Sequence, residues 1–204
     1  MQRLRPPLLR FALLAAITTF ILHVVVLVAN GFDPITSPIR NLSQGQLAEL
    51  QHVALMLFGL AHIALAIAIG GLRDGYLWPF ARVLLLLSGV GHFYIAADFA
   101  AADAFARPTT MSNDPLWVVA SLTGLAMGAM QPGLSRLSLG VGLFGVVCLG
   151  TWLVLIPVNL LVTPGWLGGY ERLVGGVYVI WMVGVSTSLL GAAIRAQRAA
   201  ARAE

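Results

Sequence analysis

The feature that most limits what this chain can become is the apolar run from Leu8 to Ala29, with several more of similar length after it. A helix of roughly 18 or more apolar residues is what it takes to cross the hydrocarbon of a bilayer. Charged residues make up only 10% of the 204 and hydrophobic ones 59%. Soluble domains carry about 25% charged residues, so this chain cannot cover itself with a water-compatible surface. The fold class read from the sequence is therefore all-α: a polytopic membrane protein, a compact bundle of six transmembrane helices in one domain, 1–204.

The spans are expected at about 8–29, 47–72, 80–101, 115–130, 137–158 and 171–193. Arg3, Arg5 and Arg10 precede the first, with Pro6 and Pro7 keeping the start out of the helix. A basic start and an apolar run also describe a signal peptide. This run is longer than the usual apolar core of about 7–15 residues, so it is read as an uncleaved helix. Ser43 and Gln46 stand at capping-box spacing before the second span. Pro79 and Pro115, the latter after Asp114, suit first helical turns, where no amide partner is lost. Gln131-Pro132-Gly133 is expected to break the fourth helix, and Arg195, Arg198 and Arg202 to form a tail.

With both termini cytoplasmic, Arg3, Arg5, Arg10, Arg73, Arg82, Arg136, Arg195, Arg198 and Arg202 fall inside and Arg40, Arg107 and Arg172 outside. That split satisfies the positive-inside rule, and the expected location is a bacterial inner membrane. The acids lean the other way, towards the outer face. The net charge of +4 comes entirely from arginine, in short orienting segments rather than a basic stripe, which argues against nucleic acid. Cys148 stands alone, which excludes an intrachain disulfide and a cysteine zinc cluster. No His/carboxylate spacing of a zinc site, no nucleophilic serine context at Ser37, Ser43 or Ser121, and no phosphate loop is present, so neither metal nor cofactor is expected.

The longest polar interruption, Asn30 to His52, is expected to form much of any site. His52 follows Glu49 by three residues, so the pair shares a helix face, and a carboxylate beside an imidazole can fix its tautomer or raise its basicity. His92 and Asp98 lie on the third span, and His23 lies on the first. Polar groups at such depths face the bundle interior by default. The expectation is an outward-facing polar cavity lined by His23, Asp33, Arg40, Glu49, His52, His92 and Asp98, set against plain helix-to-helix hydrogen bonds. His62, deeper, is assigned an interhelical hydrogen bond. Arg40, Arg107 and Arg172, one per external loop, either clamp an anionic headgroup or bridge to Asp33, Asp103 and Glu171; the bridges are favoured. Trp78, Trp117 and Trp166 read as interface anchors. Trp152 and Trp181 read as core or lipid-facing.

Asp33-Pro-Ile-Thr-Ser-Pro-Ile-Arg-Asn-Leu-Ser resembles the first external loop of the bacterial integral-membrane family catalogued as domain of unknown function 998. The third span ending near Asp98 and Asp103 is similar to that family, as is Gly168-Gly-Tyr-Glu-Arg-Leu leading into the last helix. The third-loop His common in the family is missing. The resemblance implies a six-helix membrane protein and supplies no catalytic residues.

Three functions compete. The first is a protein that binds or handles a lipid or small amphiphile in the outward-facing cavity, or an accessory membrane subunit. The second is an intramembrane enzyme acting on a lipid headgroup, with His52 and Glu49, or His92, as general base and Asp98 nearby. The third is a structural partner of a larger complex, docking through the small-residue faces of Gly124 and Gly128 and of Gly140, Gly142 and Gly145. The first is the leading expectation.

Overall fold

A computed structural model of the protein describes residues 5–70, 72, 77–101, 115–158 and 161–203. Its helices are α1 (Arg5–Ala29), α2 (Ala48–Ala68), α3 (Trp78–Ala100), α4 (Pro115–Leu137), α5 (Leu139–Val158) and α6 (Leu167–Ala203). Short 3-10 turns stand at Ile39–Ser43 and Pro164–Trp166. Among the described residues there is no strand. The all-helical expectation therefore holds, and α1, α2, α3 and α6 are each long and apolar enough to cross a membrane. Arg3, Arg73, Asp103, Arg107 and Asp114 lie outside the described residues.

Each helix packs on the next, α6 closes against α1, and α4 also meets α6. The result is a ring of six helices with a tight wedge of α4, α5 and α6 on one side. Apolar runs become helices in such a setting because lipid offers no partner to backbone amides and carbonyls. The outer faces stay apolar: Leu14, Ile21 and Val28 form an exposed stripe on α1, as do Val83, Leu87, Val90 and Tyr94 on α3.

Between lipid-facing helices the usual hydrophobic force is missing, so close packing and polar contacts must hold them together. Gly59 of α2 and Gly89 of α3 face each other across such a contact. A Cβ built on either would lie 2.7 Å and 2.8 Å, respectively, from the other's carbonyl oxygen. The Trp152 ring covers Gly124, the Trp78 ring covers Gly133, and Phe144 covers Gly184. Tyr178 Oη donates to the Ala120 carbonyl at 2.6 Å, joining α6 to α4. Tyr170 Oη donates to the Leu155 carbonyl at 2.7 Å, joining α6 to α5. At the far end of α2, two guanidinium groups from other helices satisfy its last carbonyls. Arg5 Nε donates to Ala68 and Arg82 Nε to Ala66, each at 3.1 Å, as positive charge at a helix C-terminus should.

Several local expectations fail for physical reasons. Pro6 and Pro7 sit inside the first turn of α1, which starts at Arg5; the first amides of a helix have no acceptor to lose. The Ser43–Gln46 capping box does not form. α2 begins at Ala48 after Leu47, which is left-handed with φ 62°, and no side chain caps it. Ser43 instead closes the 3-10 turn, buried. α4 runs through Pro132 to Leu137, since one missing amide costs one bond and neighbouring helices can hold the rest in place. α6 continues to Ala203, so the arginine tail is helical. Trp78 is a core residue, 3% exposed, not an interface anchor.

The glycine faces proposed as a docking surface are used inside the chain. Gly124 lies under Trp152, and Gly128 meets Leu149 of α5. On α5, Gly142 meets Ser135, and Gly145 meets Gln131, whose Nε2 donates to the Gly142 carbonyl at 2.7 Å. Of that set only Gly140 looks onto open space.

Candidate functional site

A cavity of about 220 Å³ lies inside the ring, walled by α1, α2, α3, α4 and α6 and reached by Ile39 of the 3-10 turn. Its geometry follows from helical spacing. α2 contributes Gln51, Ala54, Leu55 and Phe58, an i, i+3, i+4, i+7 stripe. α1 contributes Phe20, His23, Val24 and Leu27 at the same spacing, and α4 contributes Leu116, Val119, Ala120 and Thr123. α6 repeats it with Arg172, Gly175, Gly176 and Val179. Seven residues of rise give each stripe about 10 Å of length, so four parallel walls of equal depth enclose one slot.

The two ends of the slot differ in chemistry. At one end stand Arg172, Glu171, His23 and Gln51; the walls below are almost entirely apolar. His23 Nδ1 lies 3.3 Å from Gln51 Oε1, while His23 Nε2 is buried without a partner. At the opposite end His92 and Thr123 close the slot. On α6, Gly175 and Gly176 leave the wall open, with nothing within 4 Å of a Cβ built on either. Phe20 and Val24 line the slot yet are 52% and 39% exposed, so it opens sideways along α1.

The loop after α1 builds the polar end. Asp33 is exposed, and its carboxylate accepts from the Ile35 amide at 2.9 Å and from Thr36 Oγ1 at 3.0 Å. These bonds, the Ile35 amide first, hold its acidity below the ordinary carboxylate range. The folded loop then docks on the first turns of α6. Gly169 donates its amide to the Ile35 carbonyl at 2.8 Å, and a Cβ on Gly168 would run into the Ser37 carbonyl. Arg172 Nη1 donates to the carbonyls of Pro34 at 2.8 Å and Ser37 at 2.6 Å. Glu171 Oε2 accepts from the Ile39 amide at 2.5 Å. Thus Arg172 holds the loop by its carbonyls, with the charges of Glu171 and Asp33 nearby.

Below the slot lies a buried polar core. His62 and His92 each sit with Nδ1 2.8 Å from the carbonyl four residues earlier, Phe58 and Ser88. A ring nitrogen facing a carbonyl must carry the proton, so Nε2 of each is the acceptor. His62 Nε2 is 3.3 Å from Thr123 Oγ1, whose single proton is shared with the Val119 carbonyl at 3.0 Å, and Thr123 Oγ1 lies 2.7 Å from Ser88 Oγ. His62 thus makes the interhelical bond expected of it, between α2 and α4.

The expected set of site residues is divided by the structure. His23, His92 and Arg172 line the slot. His52 and Glu49 pair with each other at 3.7 Å, but neither is part of the wall, and Glu49 is 95% exposed. Asp33, Arg40 and Asp98 are also absent from it. The polar stretch from Asn30 docks on α6, and its 3-10 turn also packs against α2 and α3. Arg107 lies outside the described residues. Among those residues no group of three His, Cys, Asp or Glu side chains is placed to hold a metal. Gln51, Thr123, Tyr178 and the Gly175-Gly176 pair were missed. The signal was present in the Arg172, Gly175, Gly176, Val179 spacing, a small-residue gap beside one cation.

No family model matches the chain, and neither a curated protein nor a solved structure is detectably similar to it. The site must therefore be interpreted from its own geometry.

Proposed function

We propose that the chain is a bacterial inner-membrane protein of six spans, both termini cytoplasmic, that binds a lipid or small amphiphile in the slot. The observation that carries this is the slot's division into one polar end and apolar walls about 10 Å deep, open sideways beside α1. A ligand arriving along the bilayer would meet that opening directly. In size the slot exceeds the ~150 Å³ that accepts a benzene ring and falls short of the ~300–1,000 Å³ typical of drug-sized ligands. That suits one apolar tail.

α4 and α5, at 23 and 20 residues, are about 34 and 30 Å long, enough for the fifth and sixth crossings of the reading. Exposed Leu143, Val147 and Val154 on α5 suit a lipid-facing side. Arg5, Arg10, Arg82, Arg136 and the arginines of α6's last turns gather at one end of the ring, and the slot's polar end is at the other. That arrangement supports an outward-facing slot. The resemblance to domain of unknown function 998 remains part of this reading. The enzyme alternative built on His52 and Glu49 has weaker support, since that pair stands off the wall.

The test fills the slot. Gly175→Leu and Gly176→Leu each project a side chain into open space. Wild-type protein purified in nanodiscs should retain a small amphiphile by native mass spectrometry, and both variants should lose it while still inserting. Identical adducts on all three proteins would overturn the reading.

A further inference from the structure

The head of the amphiphile is defined by what Arg172 leaves unused. Its Nη1 is committed to the carbonyls of Pro34 and Ser37, while Nε and Nη2 are buried and have no hydrogen-bond partner. Those two nitrogens form one edge of the guanidinium, with parallel N–H bonds spaced to meet two oxygens of one oxyanion. A buried charged donor without an acceptor forfeits its solvation. Adjacent Glu171 accepts from the Ile39 amide through Oε2.

We propose that the slot's occupant carries a carboxylate or phosphate, gripped side-on by Arg172 Nε–H and Nη2–H, on a single apolar chain directed towards His92. This rests on the slot being an amphiphile site. The single chain follows from volume: about 220 Å³ between four stripes admits one tail, not the pair of an ordinary phospholipid. The anion follows from the fork, which no alcohol or cationic head can satisfy. The loop contact pre-organises the fork, since Nη1 is anchored before any ligand arrives, and that lowers the ordering cost of binding.

The experiment titrates full-length protein in nanodiscs by calorimetry, subtracting empty nanodiscs. The probes are dodecanoate, dodecyl phosphate, dodecanol and inorganic phosphate. Both amphiphilic anions should bind about ten- to a hundredfold tighter than dodecanol, as expected for charge-assisted hydrogen bonds. Inorganic phosphate should not compete. Arg172→Gln should erase the advantage of the two anions over dodecanol. Arg172→Lys, which keeps the charge but not the fork, should fall between; where Arg172→Gln does not fold, this variant and the wild-type series decide. If dodecanol equals the anions and Gly175→Leu abolishes all three, the slot stands and the headgroup assignment falls. Phosphate competing as well as dodecyl phosphate would overturn the single-chain assignment. Binding that ignores Gly175→Leu, or no binding, overturns both readings.

Discussion

His62 and His92 stack in the bundle interior with ring centroids 4.9 Å apart and planes 30° from parallel. Phe58 stands edge-on to both, at 4.6 Å and 5.0 Å. Each Nδ1–H is satisfied by a carbonyl of its own helix, which fixes both ring orientations. His62 Nε2 lies next to the Thr123 hydroxyl, which also bonds the Val119 carbonyl and Ser88.

Thr123→Val should therefore destabilise the protein by about 1–3 kcal/mol, because it keeps the shape and strands two buried polar groups. Adding Ser88→Ala should cost less than the sum of the single changes, since it removes one of the stranded groups. Thermal unfolding in detergent, run as a double-mutant cycle, measures the coupling. Additive losses would mean that the hydroxyls act independently.

The glycines separate into those that hold packing and those that look onto space. Gly124→Ala should cost about 1–3 kcal/mol by overpacking, because its Cβ would enter the Trp152 ring. Gly150→Ala should be neutral or mildly stabilising, as nothing lies within 4 Å and Ala is the better helix former. Retention of the folded peak by fluorescence-detected size exclusion after heating ranks the two. Equal ranking would sink the claim that Gly124 is an α4–α5 contact.

Much of the fold could be read in advance because its signal is local. Apolar length marks a helix whichever neighbour it meets, and Pro79 and Pro115 fall in first turns as their missing amides require. The site was less legible because it depends on which faces meet. His52 with Glu49 looked strongest on one helix, yet its face turns away from the slot. Gln51, one residue earlier, is rotated by about 100° and lines it. Of the Asn30–His52 stretch only Ile39 and Gln51 line the slot, and nothing in it states that its carbonyls would be held by Arg172. That contact joins residues 135 apart in the chain. Pro132 misled for the opposite reason: its local cost is real, and tertiary packing outweighs it.

Asp33 sets an acid limit on the loop. Its carboxyl group titrates below the ordinary value of 3.8 because the Ile35 amide and the Thr36 hydroxyl favour the charged form. A group depressed in the folded state stabilises fully above its ordinary value, and that support is lost as pH falls through the lowered one. Pepsin cleavage within residues 33–47, measured relative to an unstructured reference peptide that carries pepsin's own pH dependence, should thus accelerate as pH falls below the ordinary carboxylate value and the carboxylate becomes protonated. Asp33→Asn should show no such relative acceleration. Acceleration of the same size in wild type and variant would place the acid sensitivity elsewhere.

Glu171 ties the Ile39 turn to the first turn of α6. It is 5% exposed, its Oε2 accepts from the Ile39 amide, and the Ile39 side chain forms part of the wall. Glu171→Ala removes the acceptor and should speed hydrogen exchange at the Ile39 amide about ten- to a hundredfold, the worth of a hydrogen bond to a charged group. Glu171→Gln keeps a carbonyl oxygen at nearly the same place and should retain most of the protection. The Ile35 and Ser37 amides donate to Asp33, at Oδ1 and the carbonyl respectively, and those bonds remain in both variants, so their exchange should change little. Exchange mass spectrometry resolving these segments tests the idea. Equal protection at Ile39 in wild type and Glu171→Ala would show that the backbone contacts hold the turn by themselves, leaving Glu171 no part in tying it to α6.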